Sequence, residues 1–371
     1  AAATAMYGSR AANGVIVIKT KSGSIGKTRF SVTANYGIKE RPINNIDMMN
    51  TQQKIQFERE AYADDAGGYL GVTSGRVIGL LYKADRGEIS RNEAEKEIER
   101  LSNIETDWFK ELFRRATTGQ YHFSLSGGSK ETQHYASVNY LHEKGTVPNN
   151  KMNRLNMNIK LTHTPIEQLK ITGGLAATIK NDRISASKID PLSYALYANP
   201  YERPYKEDGT YDFDLSYDVN ESRVRDGFKW EKFNIIDDLK RNTNTSRYLN
   251  AELQLKIEWE IIPGLTFSTQ GVYNANSNHN RITEGAGTYT NFVNNWYSHA
   301  RELPLEMVKG SLREATGYSN SYTFRNTLQY SSNFKEKHFI TIFAGQEISS
   351  RKGYNSYNYS PIYDEEHRVV G

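Results

Sequence analysis

Along most of its length the chain alternates apolar and polar residues one by one. In TRFSVTANYGIK, Phe30, Val32, Ala34 and Tyr36 fall on one side, with Ser31, Thr33 and Asn35 on the other. A period of two predicts a β-strand with one apolar face. The pattern returns at Tyr121, Phe123 and Leu125, and after the turn GGSKE at Ala136, Val138 and Tyr140. It recurs at Leu155, Met157, Ile159 and Leu161, and again at Ala251, Leu253, Leu255, Ile257 and Trp259, opposite Asn250, Glu252, Gln254, Lys256 and Glu258. Thr164 and Pro165, then Pro263 and Gly264, mark tight turns. A last pair of strands turns near Asn333 to Glu336. Val15 to Ile18 is a short continuous apolar run between turn residues, which predicts a buried strand.

Three stretches break the alternation. Residues 40–118 contain MMNTQQKIQFEREA and RNEAEKEIERL, whose spacing and residue preferences predict helices inserted between strands. Residues 181–246 and 278–317 read as long irregular connections. Short and long connections therefore alternate, so they collect at opposite ends of the strands. That asymmetry predicts an all-β, antiparallel up-and-down transmembrane β-barrel, with short periplasmic turns and helical insertions in long extracellular loops. Glu252, Lys256 and Glu258, set between apolar neighbours, suit a wet barrel interior better than a dry sandwich core. The alternative is a one-sided sheet in a soluble β protein, with its polar face in water. The two differ in one respect: a lipid-facing band leaves Leu253, Leu255, Ile257 and Trp259 exposed together, whereas a second sheet buries them.

Composition agrees with long strands. Only 37% of the 371 residues are hydrophobic, yet 12% are aromatic, with 25 tyrosines; few aliphatics and many aromatics suit strands with aromatic girdles. The mean hydropathy of −0.70 and the lack of a long apolar run exclude a transmembrane helix but not a barrel, whose spanning strands are apolar only at alternate positions. The net charge of +4 comes from 47 basic and 43 acidic residues without a basic run, so nucleic acid is not an expected partner. With no cysteine there are no disulfides, thiolate metal sites or cysteine nucleophiles. None of the common hydrolase, metalloprotease or nucleotide-binding motifs is present, so no enzyme activity, catalytic residue or cofactor is expected. His122, His134, His142 and His163 lie on or beside strands and read as polar residues facing the interior. Asp208, Asp212 and Asp214 around Gly209 offer oxygens to calcium, but depart from the EF-hand pattern, and a solvated turn is the favoured reading.

Near the start, AAATAMYGSRAANGVIVIKTKSG places Tyr7, Gly8, Arg10, Ala11, Ala12, Asn13, Gly14, Val15, Ile16 and Gly23 in an ordered set. The run resembles the end of the plug domain of SusC/RagA-type TonB-linked transporters from the outer membranes of Bacteroidetes. There, a plug strand leads directly into the first barrel strand. Glycine at 8 and 14 permits backbone conformations closed to other residues, and the alanines permit close packing. The resemblance implies residues 1–26 as a plug remnant and 27–371 as the N-terminal part of the barrel, about nine strands of roughly ten residues each where a family barrel has about twenty-two. It implies a piece of a longer receptor, since the elements that couple such proteins to energy are not in this sequence.

The same resemblance implies import of oligosaccharides or peptides with a SusD-like lipoprotein as lid, driven through the plug by the TonB–ExbB–ExbD complex. Outer-membrane lipid would surround the wall. In that setting, loop aromatics are the candidates for ligand or lid contact, because sugar rings stack on aromatic faces: Trp108, Tyr194, Tyr197, Tyr201, Tyr205, Trp230, Trp296 and Tyr297. A different class remains open, a surface adhesin or structural β protein that binds partners through its long loops and transports nothing.

Overall fold

In a computed structural model, which describes residues 21–64, 75–217, 233–295, 309–334, 338–364 and 369–370, the strands form one ten-stranded sheet whose order follows the sequence from β1 to β10. They are β1 (Gly26–Lys39), β2 (Ala116–Gly128), β3 (Thr132–Lys144), β4 (Lys151–Ile166), β5 (Leu169–Ser185), β6 (Thr243–Ile262), β7 (Leu265–Glu284), β8 (Gly310–Phe334), β9 (His338–Asp364) and the two-residue β10 (Val369–Val370). Each strand pairs antiparallel with its sequence neighbour. Among the described residues, the outer edge of β1 has no partner strand, so the sheet is open there, as expected for part of a wall.

Register carries the alternation across the whole wall. One row joins Phe30, Leu125, Ala136, Ile159, Leu175, Leu253, Tyr273 and Tyr322. One residue further along, the row is Ser31, Ser124, Ser137, Asn158, Ala176, Glu252, Asn274 and Ser321. Because side chains alternate faces, every paired strand contributes its apolar set to the same side, and a slip of one residue anywhere would mix the two. The apolar side is uncovered: Val32 is 75% exposed, Leu253 58%, Leu255 53% and Trp259 46%, with Ile257 half-buried between them. On β6 the band runs from Leu249 to Trp259. At about 3.3 Å per residue and a tilt of about 40°, that length spans about 25 Å, the height of the apolar belt of an outer-membrane barrel.

Turns between β4 and β5 and between β6 and β7 are short, with Gly264 at φ +83° in the left-handed region. Gly264 accepts from the Ser331 amide at 2.8 Å, which fixes that turn against β8. At the other end lie the connections at 40–115, 186–242 and 285–309, and a short one at 145–150. The first matches the expected insertion. The other two are shorter than expected, because β5, β6, β7 and β8 continue past the apolar band with polar residues on both faces, such as Arg183 and Arg247 on one and Asp182 and Ser246 on the other. Three of the four histidines also depart from expectation: His134, His142 and His163 share the face of Ala136, Tyr140 and Leu161 near the strand ends, and only His122 lies on the polar face.

The described residues of the connections hold seven helices: α1 (Thr51–Ala63), α2 (Arg76–Asp85), α3 (Arg91–Ser102), α4 (Trp108–Leu112), α5 (Pro191–Tyr197), α6 (Ile235–Arg241) and α7 (Tyr289–Asn295). Asn50 with Gln53, and Ser90 with Glu93, form capping boxes that start α1 and α3. Asp190 caps α5, which has Pro191 in its first turn. Among the described residues, no helix is long and apolar enough to cross a membrane.

Candidate functional site

Two apolar cores hold the long connections together at one end of the wall. In the first, Ile55, Val77, Leu81, Ile98 and Leu101 of α1, α2 and α3 close on Tyr201 from the β5–β6 connection. In the second, Trp108, Phe109 and Leu112 of α4 meet Tyr194 of α5, Phe233, Leu239 of α6, and Tyr289 and Phe292 of α7. The rings of Tyr194 and Trp108 meet edge to face at 5.0 Å, and Phe233 stacks on Tyr217 at 4.0 Å.

Buried acids complete the assembly. Asp238 accepts from the Thr290 amide and hydroxyl at 2.9 and 2.7 Å and from the Ser187 hydroxyl at 2.5 Å, so α6 is tied to both flanking segments. Burial pushes the Asp238 carboxyl up, against these hydrogen bonds. Glu58 accepts from the amides of Val77 and Ile78 at 3.0 and 3.2 Å, and so caps α2, whose own N-cap residue Gly75 offers no side chain. Burial raises the Glu58 carboxyl too. Glu202 pairs with Arg76 at 3.1 Å, yet burial and then the nearby Asp214 push its carboxyl up to about 8.

The sequence candidates divide within this arrangement. Trp108 is buried and donates its indole N–H to the Asn199 carbonyl at 3.1 Å. Tyr201 is fully buried, its hydroxyl shared between Glu58 and the Arg76 amide. Tyr194 is 4% exposed and donates to Asp214 at 2.7 Å. These three join the loops to one another. Tyr197, in contrast, is 85% exposed, and Tyr205 is exposed and stacked on Tyr211 at 5.6 Å. Tyr194 and Tyr197 border one cavity of about 340 Å³, with Lys54, Asp190, Ser193 and Tyr217. Trp230, Trp296 and Tyr297, and the motif residues Tyr7, Gly8, Arg10, Asn13 and Gly14, lie outside the described residues.

Lys54, Asp190 and Ser193 escaped the sequence reading. Their one signal is the Asp-Pro pair that starts α5, and it speaks of capping. Asp208, Asp212 and Asp214 do not converge: Asp208 accepts from Thr210 in its own turn, Asp212 pairs with Arg203 at 2.9 Å, and Asp214 accepts from Ser216 and Tyr194. Among the described residues, no group of three potential ligands is placed to hold a metal.

On the polar face, near the tight-turn end, a recess of about 480 Å³ is bordered by Lys256, Glu258, Gln270, Arg325, Thr327 and Glu347. Lys256 pairs with Glu258 at 2.7 Å, and Arg325 donates through Nε to Glu347 at 2.8 Å across the β8–β9 ladder. Such mutual pairing keeps a charged interior wall locally neutral. The recess and the cavity offer polar surfaces at two levels of the wall, and in the cavity the Ser193 hydroxyl donates to Asp190 at 2.8 Å, within the turn that caps α5.

A wall apolar on one side, polar on the other, and crowned at one end by long packed connections is the construction of a transmembrane β-barrel of the outer-membrane type, present here in part. The comparisons with known proteins agree. The chain is 25% identical over 281 residues to a TonB-dependent receptor of Formosa agariphila, covering 72% of this chain and 23% of that one. It is 26% identical over 221 residues to the TonB-dependent receptor SusC of Bacteroides thetaiotaomicron, covering 58% and 18%. Its fold is similar to a chain of the RagAB peptide transporter, with a TM-score of 0.71 at 23% identity over 98% of this chain and 39% of that one. No family model matches. The chain is thus similar to SusC/RagA-type TonB-dependent receptors, and it spans less than a third of the length of these two curated relatives.

Proposed function

We propose that the chain forms part of the wall and extracellular crown of an outer-membrane importer that takes up oligosaccharides or peptides together with a SusD-like surface lipoprotein. The observation that carries this reading is the pair of register rows, one apolar and uncovered, one polar, that run unmixed from β1 to β8. An adhesin built as a sandwich would cover Leu253, Leu255 and Trp259 with a second sheet, and no such sheet stands among the described residues. The relatives are named as receptors and a transporter, which supports transport over catalysis.

In this reading residues 1–26 close the plug and 27–371 begin the barrel. Tyr197 and Tyr205 present rings to ligand or lid, the cavity beside α5 receives part of the bound molecule, and the polar recess lies along its way inward. Release occurs when the TonB–ExbB–ExbD complex pulls on the plug. Residues of this chain bind and orient, and none makes or breaks a bond. The test is uptake by cells that carry or lack the receptor containing this chain, given labelled oligosaccharide or peptide pools, with and without a protonophore. Receptor-dependent uptake that the protonophore abolishes is the expected result, and the pool taken up identifies the substrate class. Equal uptake of every pool in both strains would sink the transport reading in favour of adhesion.

A further inference from the structure

The apolar face ends abruptly at the loop end of the wall, and a basic rim lies beyond it. On β3 to β6 the row that joins Tyr140, Leu155, Ile179 and Leu249 is the last apolar one on that face, whereas on β1 Tyr36 and Ile38 carry it two rows further. The next joins His142, Asn153, Asn181, Arg247 and His279. The one beyond joins Lys144, Lys151, Arg183, Thr245, Arg281 and Glu314. All alternate with the polar face and so share the uncovered side. Among the described residues, the opposite rim of that face carries no lysine or arginine: its residues include His163, Ile171, Trp259, Phe267 and Leu328.

Across these two rows five cations meet a single carboxylate. Glu314 lies 3.7 Å from Arg281 and 3.9 Å from His279, and Arg281 also donates to the Tyr363 hydroxyl at 2.9 Å. Asp182, in the same region, is paired with Lys180 at 3.1 Å, and both alternate toward the polar face. Lys151, Arg183 and Arg247 therefore have no carboxylate within 4 Å among the described residues, and the Arg183 Nε is buried without a hydrogen-bond partner. The three border a recess of about 310 Å³ together with Asn153, Asn181, His279 and Asp182, whose carboxylate is held by Lys180. Adjacent strands lie about 4.8 Å apart, so the cations repel one another unless an anion sits among them. β4 to β7 have paired neighbours on both sides, so further strands of the wall would not cover this face.

We propose that Lys151, Arg183 and Arg247 form a binding site for the phosphate-bearing headgroup of an outer-leaflet glycolipid, with Asn153 and Asn181 donating to its oxygens and the acyl chains lying on Leu155, Ile179 and Leu249. Position selects this occupant: the cations stand where a headgroup meets the edge of the hydrocarbon layer, on the leaflet that the long connections face, and two arginines offer forked donors matched to phosphate. The inference rests on the outer-membrane reading of the wall.

The test uses the intact receptor, purified from outer membrane into nanodiscs of neutral phospholipid doped with lipid A. Retained lipid A is counted by mass spectrometry. We expect the wild type to retain lipid A about 10- to 100-fold more than Lys151→Gln/Arg183→Gln/Arg247→Gln, and to discriminate against enzymatically dephosphorylated lipid A. Arg154→Gln/Lys160→Gln, which removes two cations of β4 from the polar face, should retain lipid A as the wild type does. Equal retention by the triple variant, or of the dephosphorylated lipid, overturns the site. Binding of inorganic phosphate to lipid-free receptor, lost in the triple variant, overturns the lipid assignment in favour of a soluble anion. Heat-modifiable migration checks that each variant is a folded barrel. A receptor absent from the outer membrane would refute the importer reading itself, whereas a folded, membrane-resident receptor indifferent to lipid A refutes only this inference.

Discussion

The Tyr201 hydroxyl donates to Glu58 Oε1 at 2.6 Å, joining residues 143 apart in sequence. The same hydroxyl accepts from the Arg76 amide at 3.0 Å, while the other Glu58 oxygen caps α2 through Val77 and Ile78. One tyrosine thus fastens the three-helix insertion to the β5–β6 connection. Closing a loop of that length costs entropy that grows only slowly with length, so a few buried contacts suffice to hold it.

Replacing Tyr201 by Phe keeps the ring in its apolar core but leaves Glu58 Oε1 and the Arg76 amide without this partner. The expected cost is about 1–3 kcal/mol, confined to the insertion. Hydrogen exchange on the intact receptor should quicken over α1, α2 and α3 and stay unchanged in β4 to β7. Uniform protection identical to the wild type would show that the hydroxyl contributes nothing.

The raised Glu202 carboxyl gives the crown a pH dependence. In the unfolded chain it ionises in the ordinary carboxylate range, while in the folded crown it holds its proton up to about 8, chiefly because it is buried. Between those values the folded state binds more protons, so its contribution is full below the ordinary range and declines as pH rises through about 8. Protection over α2, α3 and residues 199–214, taken as exchange relative to the intrinsic rate at each pH, should therefore be higher at pH 6 than at pH 9. Glu202→Gln should flatten the difference, and a slope that survives the substitution would assign it to another group.

The wall was legible in the chain because lipid and lumen demand opposite residues at successive positions. Leu253, Leu255 and Trp259 against Glu252, Lys256 and Glu258 show the β6 faces without any partner strand, and Pro263–Gly264 shows the turn. The strand ends were hidden for the converse reason: above the apolar band Arg183 and Arg247 on one face are as polar as Asp182 and Ser246 on the other, so the period of two loses its contrast. The crown was legible only as aromatic-rich connection. That Tyr201 is buried and Tyr197 exposed depends on Glu58 and Arg76, contacts that sequence spacing does not encode. The basic rim was hidden in the same way, since Lys151, Arg183 and Arg247 become neighbours only through register.

Tyr197 and Tyr205 separate ligand contact from packing. Each ring is exposed, so truncation to Ala should leave thermal unfolding of the receptor unchanged within about 0.5 kcal/mol. If either stacks on the imported molecule, the concentration for half-maximal uptake should rise about 2- to 10-fold, the range of one aromatic contact. Unaltered uptake in both variants would remove both rings from the binding surface, and with Tyr197 one wall of the cavity beside α5.

The two faces of β6 make opposite predictions for the same substitution at adjacent positions. Leu255 is 53% exposed within the apolar band, and Gln254 beside it belongs to the polar row that includes Lys160 and Thr323. Arginine at 255 would place a cation near the middle of the hydrocarbon layer, at about 2–4 kcal/mol. Arginine at 254 would enter a wet interior that already holds Lys256 and Arg325, with Glu258 and Glu347 as counter-charges. Refolding the intact receptor into lipid vesicles and following its heat-modifiable migration through urea should show Leu255→Arg unfolding at lower urea and Gln254→Arg close to the wild type. Equal loss in both variants would mean that the two faces meet the same medium, and the division between lipid and lumen would have to be abandoned.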